Sequence, residues 1–292
     1  MIEATAPAKI NLFLHVGPTR PDGLHAIASL FVFADGGDRI RATRADRLSL
    51  TIEGPFAAAL KGFPPEENLV WRAAEALARE TGVNAGAALV LEKKLPIAAG
   101  IGGGSADAAA TLHALVELWR LDIAPDALSR LAFGLGADVP ACLARRPVYV
   151  EGAGEVVTAG PSLPPLWACL VNPRVETPTG PIFRAFDAAN PSPPPPALER
   201  RSVIAGLDAL RAYLAGARND LEPHAINRQR VIGAARDFLA HCPGCLIARL
   251  SGSGATVFGL FSDKTQAEEA QARAESEGWW AMAARLLEGD GA

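Results

Sequence analysis

Runs of like charge are missing from this chain. No basic stretch is longer than a pair such as Lys93-Lys94 or Arg200-Arg201, and 32 acidic residues outnumber 28 lysines and arginines, for a net charge of −4. With a sequence pI near 5.8, the electrostatic footprint of a nucleic-acid binder is absent, and no nucleic-acid partner is expected. No apolar run approaches the ~20 residues that cross a bilayer. The opening Met1-Ile2-Glu3-Ala4-Thr5-Ala6-Pro7 has neither the basic nor the apolar region of a signal peptide. The expected setting is the cytoplasm, with no membrane partner. Cysteine is sparse: the four residues at 142, 169, 242 and 245 make no disulfide framework in 292 residues. His241-Cys242-Pro243-Gly244-Cys245 has CxxC spacing, but no second ligand pair for zinc appears at a suitable distance, and the segment precedes a late strand rather than opening a helix. It reads as a structural turn. No repeat period is visible.

What is present is ordinary globular material, 49% hydrophobic and 21% charged, in a chain too long for one comfortable core. Two lobes are expected, 1–160 and 161–292, with the boundary near the proline cluster at 161–165. Alternation predicts strands at 4–16, 27–34, 47–53, 87–93, 166–171, 247–250, 255–261 and 280–286. Helical patterning predicts helices at 69–81 (capped by Asn68 and stopped by Gly82), 105–119, 125–134, 201–215, 225–240 and 264–277. The fold class is α+β. The proline run at 190–196 reads as a surface linker.

The most informative segment is Pro96-Ile97-Ala98-Ala99-Gly100-Ile101-Gly102-Gly103-Gly104-Ser105-Ala106, just ahead of an alanine-rich helix. Glycines let the backbone turn its N–H groups toward one point, and a helix beginning near Ser105 adds its own unpaired N–H groups and positive dipole end. The pair makes an anion cradle suited to a polyphosphate. It is not a P-loop, because Gly104 is followed by Ser105 and Ala106 rather than by lysine. It matches the dinucleotide fingerprint poorly, since position 105 is serine and Asp122 lies between two predicted helices. Asp107 falls near the helix start, where a carboxylate is favoured by the dipole. Three further features stand out: Lys9 and Asn11 on one face of the first strand, Asp138 in the loop Gly134–Pro140, and Ser251-Gly252-Ser253-Gly254 between two strands, where small residues permit close backbone approach.

Taken together and in order, these segments resemble the three motifs of the GHMP small-molecule kinases (galactokinase, homoserine, mevalonate and phosphomevalonate kinases). Pro7-Ala8-Lys9-Ile10-Asn11-Leu12, Pro96 to Ser105, and Leu250 to Gly254 carry the resemblance, which spans residues 5 to 261. Arg20-Pro21-Asp22-Gly23-Leu24-His25, Gly136-Ala137-Asp138-Val139-Pro140 and Asn219-Asp220-Leu221-Glu222-Pro223 resemble the branch that phosphorylates the tertiary 2-hydroxyl of a CDP-linked methylerythritol in the non-mevalonate route to isoprenoids. The resemblance implies a two-lobed fold, with an N-terminal lobe like ribosomal protein S5 domain 2 and a ferredoxin-like C-terminal lobe. It implies ATP and Mg²⁺, a small-molecule substrate, and a monomer or homodimer. Asp138 matches the family's catalytic aspartate and Lys9 its catalytic lysine. Residues 96–106 match the ATP-phosphate loop. Asn11 falls at the acceptor, Gly252, Ser253 and Gly254 at the substrate's diphosphate or the nucleotide loop, and Leu24, His25 and Phe183 at the cytidine. Leu24 stands where the family carries a tyrosine, which removes one stacking face worth about 1–3 kcal/mol on a base. No magnesium ligand is assigned.

Overall fold

The computed structural model describes residues 1–189, 194 and 199–288. The proline run at 190–196 lies outside the described residues apart from Pro194. Two long strands open the chain, β1 (Ile2–Thr19) and β2 (His25–Ala45), joined by the tight turn expected at 20–23, where the Gly23 N–H reaches the Arg20 carbonyl at 3.0 Å. After β3 (Ser49–Glu53) comes helix α1 (Leu69–Thr81). Its two ends are those the sequence predicts: the Asn68 side chain accepts the Val70 N–H at 2.9 Å, and Gly82 stops the helix in the left-handed region. Strand β4 (Gly86–Glu92) leads through the glycine run into α2 (Gly103–Trp119), followed by α3 (Pro125–Leu135) and α4 (Val139–Ala144). Then come β5 (Val148–Gly152), β6 (Val156–Ala159), β7 (Trp167–Asn172) and α5 (Thr179–Ala189). The last third holds α6 (Leu207–Ala215), α7 (Glu222–Arg228), α8 (Arg230–Ala240), β8 (Ile247–Leu250), β9 (Val257–Phe261), α9 (Lys264–Ser276) and β10 (Trp280–Arg285).

Where these elements differ from the sequence reading, local chemistry explains it. Strand β2 runs on through Asp35-Gly36-Gly37-Asp38, a stretch that looks like a break. A Cβ at Gly37 would overlap the Ala6 carbonyl oxygen, so this glycine admits a neighbouring strand and does not turn the chain. Helix α2 begins at Gly103, two residues before the expected start, because Gly102 takes the N-cap position. The helix expected over 201–215 is confined to 207–215. The one expected over 225–240 is two helices, separated at Gln229, whose backbone is extended. Helices α4 and α5 and strands β5 and β6 are not legible as periodic segments; α4 has only 6 residues and β6 only 4.

By packing, the chain forms two compact units that interleave along the sequence rather than dividing at one position. The first comprises residues 1–8, 36–97 and 102–144; the second comprises 9–35, 98–101 and 145 onward. In the first unit β3 runs parallel to β4, and β4 is antiparallel to Arg39–Ala45 of β2. Helix α2 packs against α1 and α4, burying Leu112, Leu115 and its alanines. In the second unit Ile27–Phe31 of β2 pairs with β5, and β5 with β6. A separate antiparallel sheet has the order β10-β7-β9-β8. Helices α8 and α9 cover it, and Val171, Ile232, Leu239, Val257, Phe261 and Ala270 share one apolar core. This is the α+β architecture expected. The CxxC segment is a turn, with the Cys245 N–H bonded to the Cys242 carbonyl at 3.1 Å. Burial raises both thiols, Cys245 to about 11, which makes them poor nucleophiles at neutral pH. Among the described residues no helix is long and apolar enough to cross a membrane.

Candidate active site

Strand β1 is buried on both faces from Ala6 to Leu14, so Lys9 and Asn11 sit inside the second unit, 4% and 2% exposed. Their two-residue spacing puts both side chains on one side of the strand, and Lys9 Nζ donates to Asn11 Oδ1 at 2.8 Å. The same ammonium lies 4.4 Å from the centre of the Phe31 ring, a cation–π contact. Asn11 is itself held: its Nδ2 donates to Ser29 Oγ at 3.0 Å, and its backbone N–H to Ser251 Oγ at 3.2 Å. Burying an ammonium costs several kcal/mol unless polar partners surround it, so this pocket is built around the charge.

The glycine run is divided between the units. Within the second unit, Ala99, Gly100 and Ile101 use their carbonyls one after another. Ala99 accepts from the Thr256 N–H at 3.1 Å, Gly100 from the Ser251 hydroxyl at 3.0 Å and Ile101 from the Lys9 N–H at 2.9 Å. These residues are thereby stitched both to the lysine strand and to the Ser-Gly-Ser-Gly loop. Gly100 has φ +75, and a Cβ there would meet the Ser251 carbonyl oxygen at 2.5 Å. Gly252 is its counterpart, where a Cβ would lie 3.0 Å from the Gly100 oxygen. Part of the glycine content therefore serves backbone-to-backbone packing rather than an anion directly, which refines the cradle reading.

In the first unit, Pro96 and the exposed Ile97 precede the helix. Gly102 caps α2 without a side chain, so the first-turn N–H groups of Gly103, Gly104 and Ser105 have no capping oxygen from it. Asp107 is not the exposed dipole partner that its position near the helix start suggests. It is buried, and Lys93 Nζ donates to its Oδ2 at 2.8 Å and also to Asp38 Oδ2. Asp38 Oδ1 accepts the backbone N–H groups of Lys94 and Leu95 at 2.5 and 2.8 Å. Burial, partly offset by Lys93, raises the Asp107 carboxyl to about 7, and its Oδ1 has no hydrogen-bond partner. Asp138 precedes α4 and is half-buried; its carbonyl accepts the Cys142 N–H at 3.1 Å.

Sequence reasoning missed an apolar cavity of about 290 Å³ in the first unit. Leu50, Ile52, Phe63, Pro64, Asn68 and Ile97 line it. The exposed Phe63 and Ile97 are its only signal, and neither is distinctive in a sequence.

In the second unit His25 and Phe183 lie side by side. Their rings stack with centroids 4.9 Å apart at 28°. His25 Nδ1 is 3.1 Å from the Gly17 carbonyl, and Nε2 is 3.3 Å from Asp187 Oδ1, a partner the sequence does not indicate. Leu24, next in the chain, is 49% exposed. Ser253 and Thr179 share a hydroxyl–hydroxyl hydrogen bond of 3.0 Å. Gly254 lies beside the buried Thr177 hydroxyl, which has no partner. Among the described residues no three acidic, histidine or cysteine side chains are grouped to hold a metal.

Residues 68–146 match the family description "GHMP kinases N terminal domain", and residues 200–278 match "GHMP kinases C terminal". A 4-diphosphocytidyl-2-C-methyl-D-erythritol kinase of Cereibacter sphaeroides is 51% identical over 98% of this chain and 99% of its own length. The protein of the same name from Hyphomonas neptunium is 48% identical, covering 96% of this chain and 95% of its own. A crystal structure of 4-(cytidine 5'-diphospho)-2C-methyl-D-erythritol kinase superposes with a TM-score of 0.78 at 31% identity, over 99% of this chain and 100% of that one. The chain belongs to the 4-diphosphocytidyl-2-C-methyl-D-erythritol kinases, a family of GHMP phosphotransferases.

Proposed function

We propose that this kinase moves the γ-phosphoryl group of ATP to the tertiary 2-hydroxyl of 4-diphosphocytidyl-2-C-methyl-D-erythritol, with Asp138 and Lys9 as its catalytic residues. The observation that carries the reading is the buried Lys9–Asn11 pair, bonded to the glycine run on one side and to Ser251 on the other. An alcohol is almost un-ionised at neutral pH. Asp138 takes its proton as the oxygen bonds to the γ-phosphorus, and the bond to the β-phosphate oxygen breaks to release ADP. Lys9 stabilises charge on the reacting oxygens, with Asn11 fixing the direction of its Nζ. Because the transition state is loose, positioning and charge neutralisation supply most of the acceleration.

The N–H groups of Gly103, Gly104 and Ser105 bind phosphate oxygens of ATP, and the apolar cavity beside Ile97 receives the purine. Magnesium arrives with ATP as part of the substrate. A small, strongly hydrated cation of this kind is held chiefly by phosphates and water rather than by a protein cage. The hydroxyl of Ser105 would lie close to the β-phosphate or to the magnesium ion that accompanies it. His25 and Phe183 take the cytosine, with Leu24 covering it by apolar contact alone. Gly252, Ser253 and Gly254 face the diphosphate. The N-terminal, ATP-binding lobe is 1–160 and the C-terminal lobe 161–292, in a cytoplasmic enzyme.

Asp138→Asn and Lys9→Ala are each expected to lower kcat by ~10²-fold or more, the usual size of a general-base or charge effect. Steady-state ADP release by the folded variants measures this, and near-normal turnover in both would remove the assignment.

A further inference from the structure

Asn219, Asp220 and Glu222 form a motif to which the reaction above assigns no task. Asn219 is 4% exposed, and both ends of its amide are engaged. Nδ2 donates to two carbonyls of a single loop, Leu250 at 2.9 Å and Gly252 at 2.8 Å, while Oδ1 accepts the Leu221 N–H at 2.9 Å. Glu222 Oε2 accepts the Leu250 N–H at 2.7 Å, so both the N–H and the carbonyl of Leu250 are held by this one segment. The same segment grips the lysine strand. The Leu14 N–H bonds the Arg218 carbonyl, the Asp220 N–H bonds the Leu14 carbonyl, both at 2.9 Å, and Asp220 Oδ2 accepts the Val16 N–H at 2.8 Å.

We propose that Asn219 and Glu222 are positioning residues for phosphoryl transfer. They clasp the 250–254 loop to the strand that carries Lys9 and Asn11, and fix which way the loop's peptide groups point. In a planar trans peptide the carbonyl and the N–H lie on opposite sides. With the Gly252 carbonyl held on Asn219, the Ser253 N–H faces away from it, as a fixed donor for an acceptor diphosphate oxygen. This rests on the functional reading above. An aspartate at 219 would set a carboxylate against two carbonyl oxygens and drive the 252–253 peptide to turn over.

The test is the kinetics of Asn219→Asp, measured well below its melting temperature with ATP and the CDP-linked acceptor varied separately. The expected result is an acceptor KM raised by about 10-fold or more and a lower kcat, with the KM for ATP within about 3-fold. Arg236→Ala serves as the control. It removes the 2.9 Å partner of Glu222 Oε1 while leaving the Leu250 contact, so its kinetics should match the wild type. If Asn219→Asp does not fold, Glu222→Ala against Glu222→Gln makes the same comparison: glutamine keeps an acceptor for the Leu250 N–H and restores the acceptor KM, whereas alanine does not. An unchanged acceptor KM, or a loss that follows only the folded fraction, overturns the clasp. A wild type that turns over no CDP-linked acceptor overturns the functional reading and this inference with it; a competent wild type with unaltered variants overturns the inference alone.

Discussion

Glycines that look equivalent in the sequence have separate tasks in the run from 100 to 104. Gly100 has a left-handed backbone and backbone oxygens 2.5 and 2.7 Å from where a side chain would begin. The neighbour of Gly103 is Lys93 Nζ at 3.1 Å, so a larger residue there disturbs a buried ion cluster. Gly104 meets only Leu69 Cδ1, at an ordinary 3.4 Å. Gly100→Ala should therefore lower the melting temperature by at least about 2 °C, from the dihedral penalty of about 1–2 kcal/mol, with the overlap adding to the loss. Gly104→Ala, inside the first turn of α2, should be neutral or slightly stabilising. Thermal unfolding of the two variants decides this, and equal losses would mean the run is held by its composition rather than by its contacts. Candidate site residues are legible at this scale where the chemistry depends on residue type and spacing, as with Lys9, Asn11 and the Ser-Gly-Ser-Gly loop. Asp187 beside His25, and the two carbonyls on Asn219, are not, because these partners lie far apart along the chain and become neighbours only on folding.

Helix α2 shows how an element is fixed by what lies beneath it. Its helical pattern is readable from its alanines, but its start is not, because a glycine N-cap has no side chain to announce it. Nor does the sequence show the buried Asp38–Lys93–Asp107 cluster under the helix. Two carboxylates share one ammonium there, and desolvation lifts Asp107 to about 7 from its ordinary value of 3.8. Such a carboxyl binds a proton more tightly in the folded protein than in the unfolded chain. Its favourable contribution is fully present below pH 3.8 and is lost progressively as the pH rises toward 7. Asp107→Asn keeps the shape and removes this titration. The melting temperature of the variant relative to the wild type should therefore rise between about pH 5 and pH 8. A difference that is flat or falls over that range, in paired thermal melts, would contradict the cluster's electrostatics. Element ends are read well where a side chain or a left-handed glycine marks them, as at Asn68 and Gly82, and poorly where neighbours decide, as at Gly37 and Gln229.

At the scale of the whole molecule, the α+β class and the family are both readable, because three separated motifs in the right order say more than any one of them. The packing units are not, since β1, β2 and the glycine run each contribute residues to both. The apolar cavity beside Ile97 is equally hidden: its walls come from β3, the 59–68 segment and residue 97, which no sequence pattern links. The whole chain's proposed task is to select one alcohol, and Leu24 in place of an aromatic wall makes that selection the point to measure. The direct measurement is coupled ADP release by the wild-type protein with MgATP and, in parallel, 4-diphosphocytidyl-2-C-methyl-D-erythritol, homoserine or mevalonate. Release with the CDP-linked alcohol alone is the expected result; no release with any of the three, or a preference for homoserine or mevalonate, would overturn the assignment.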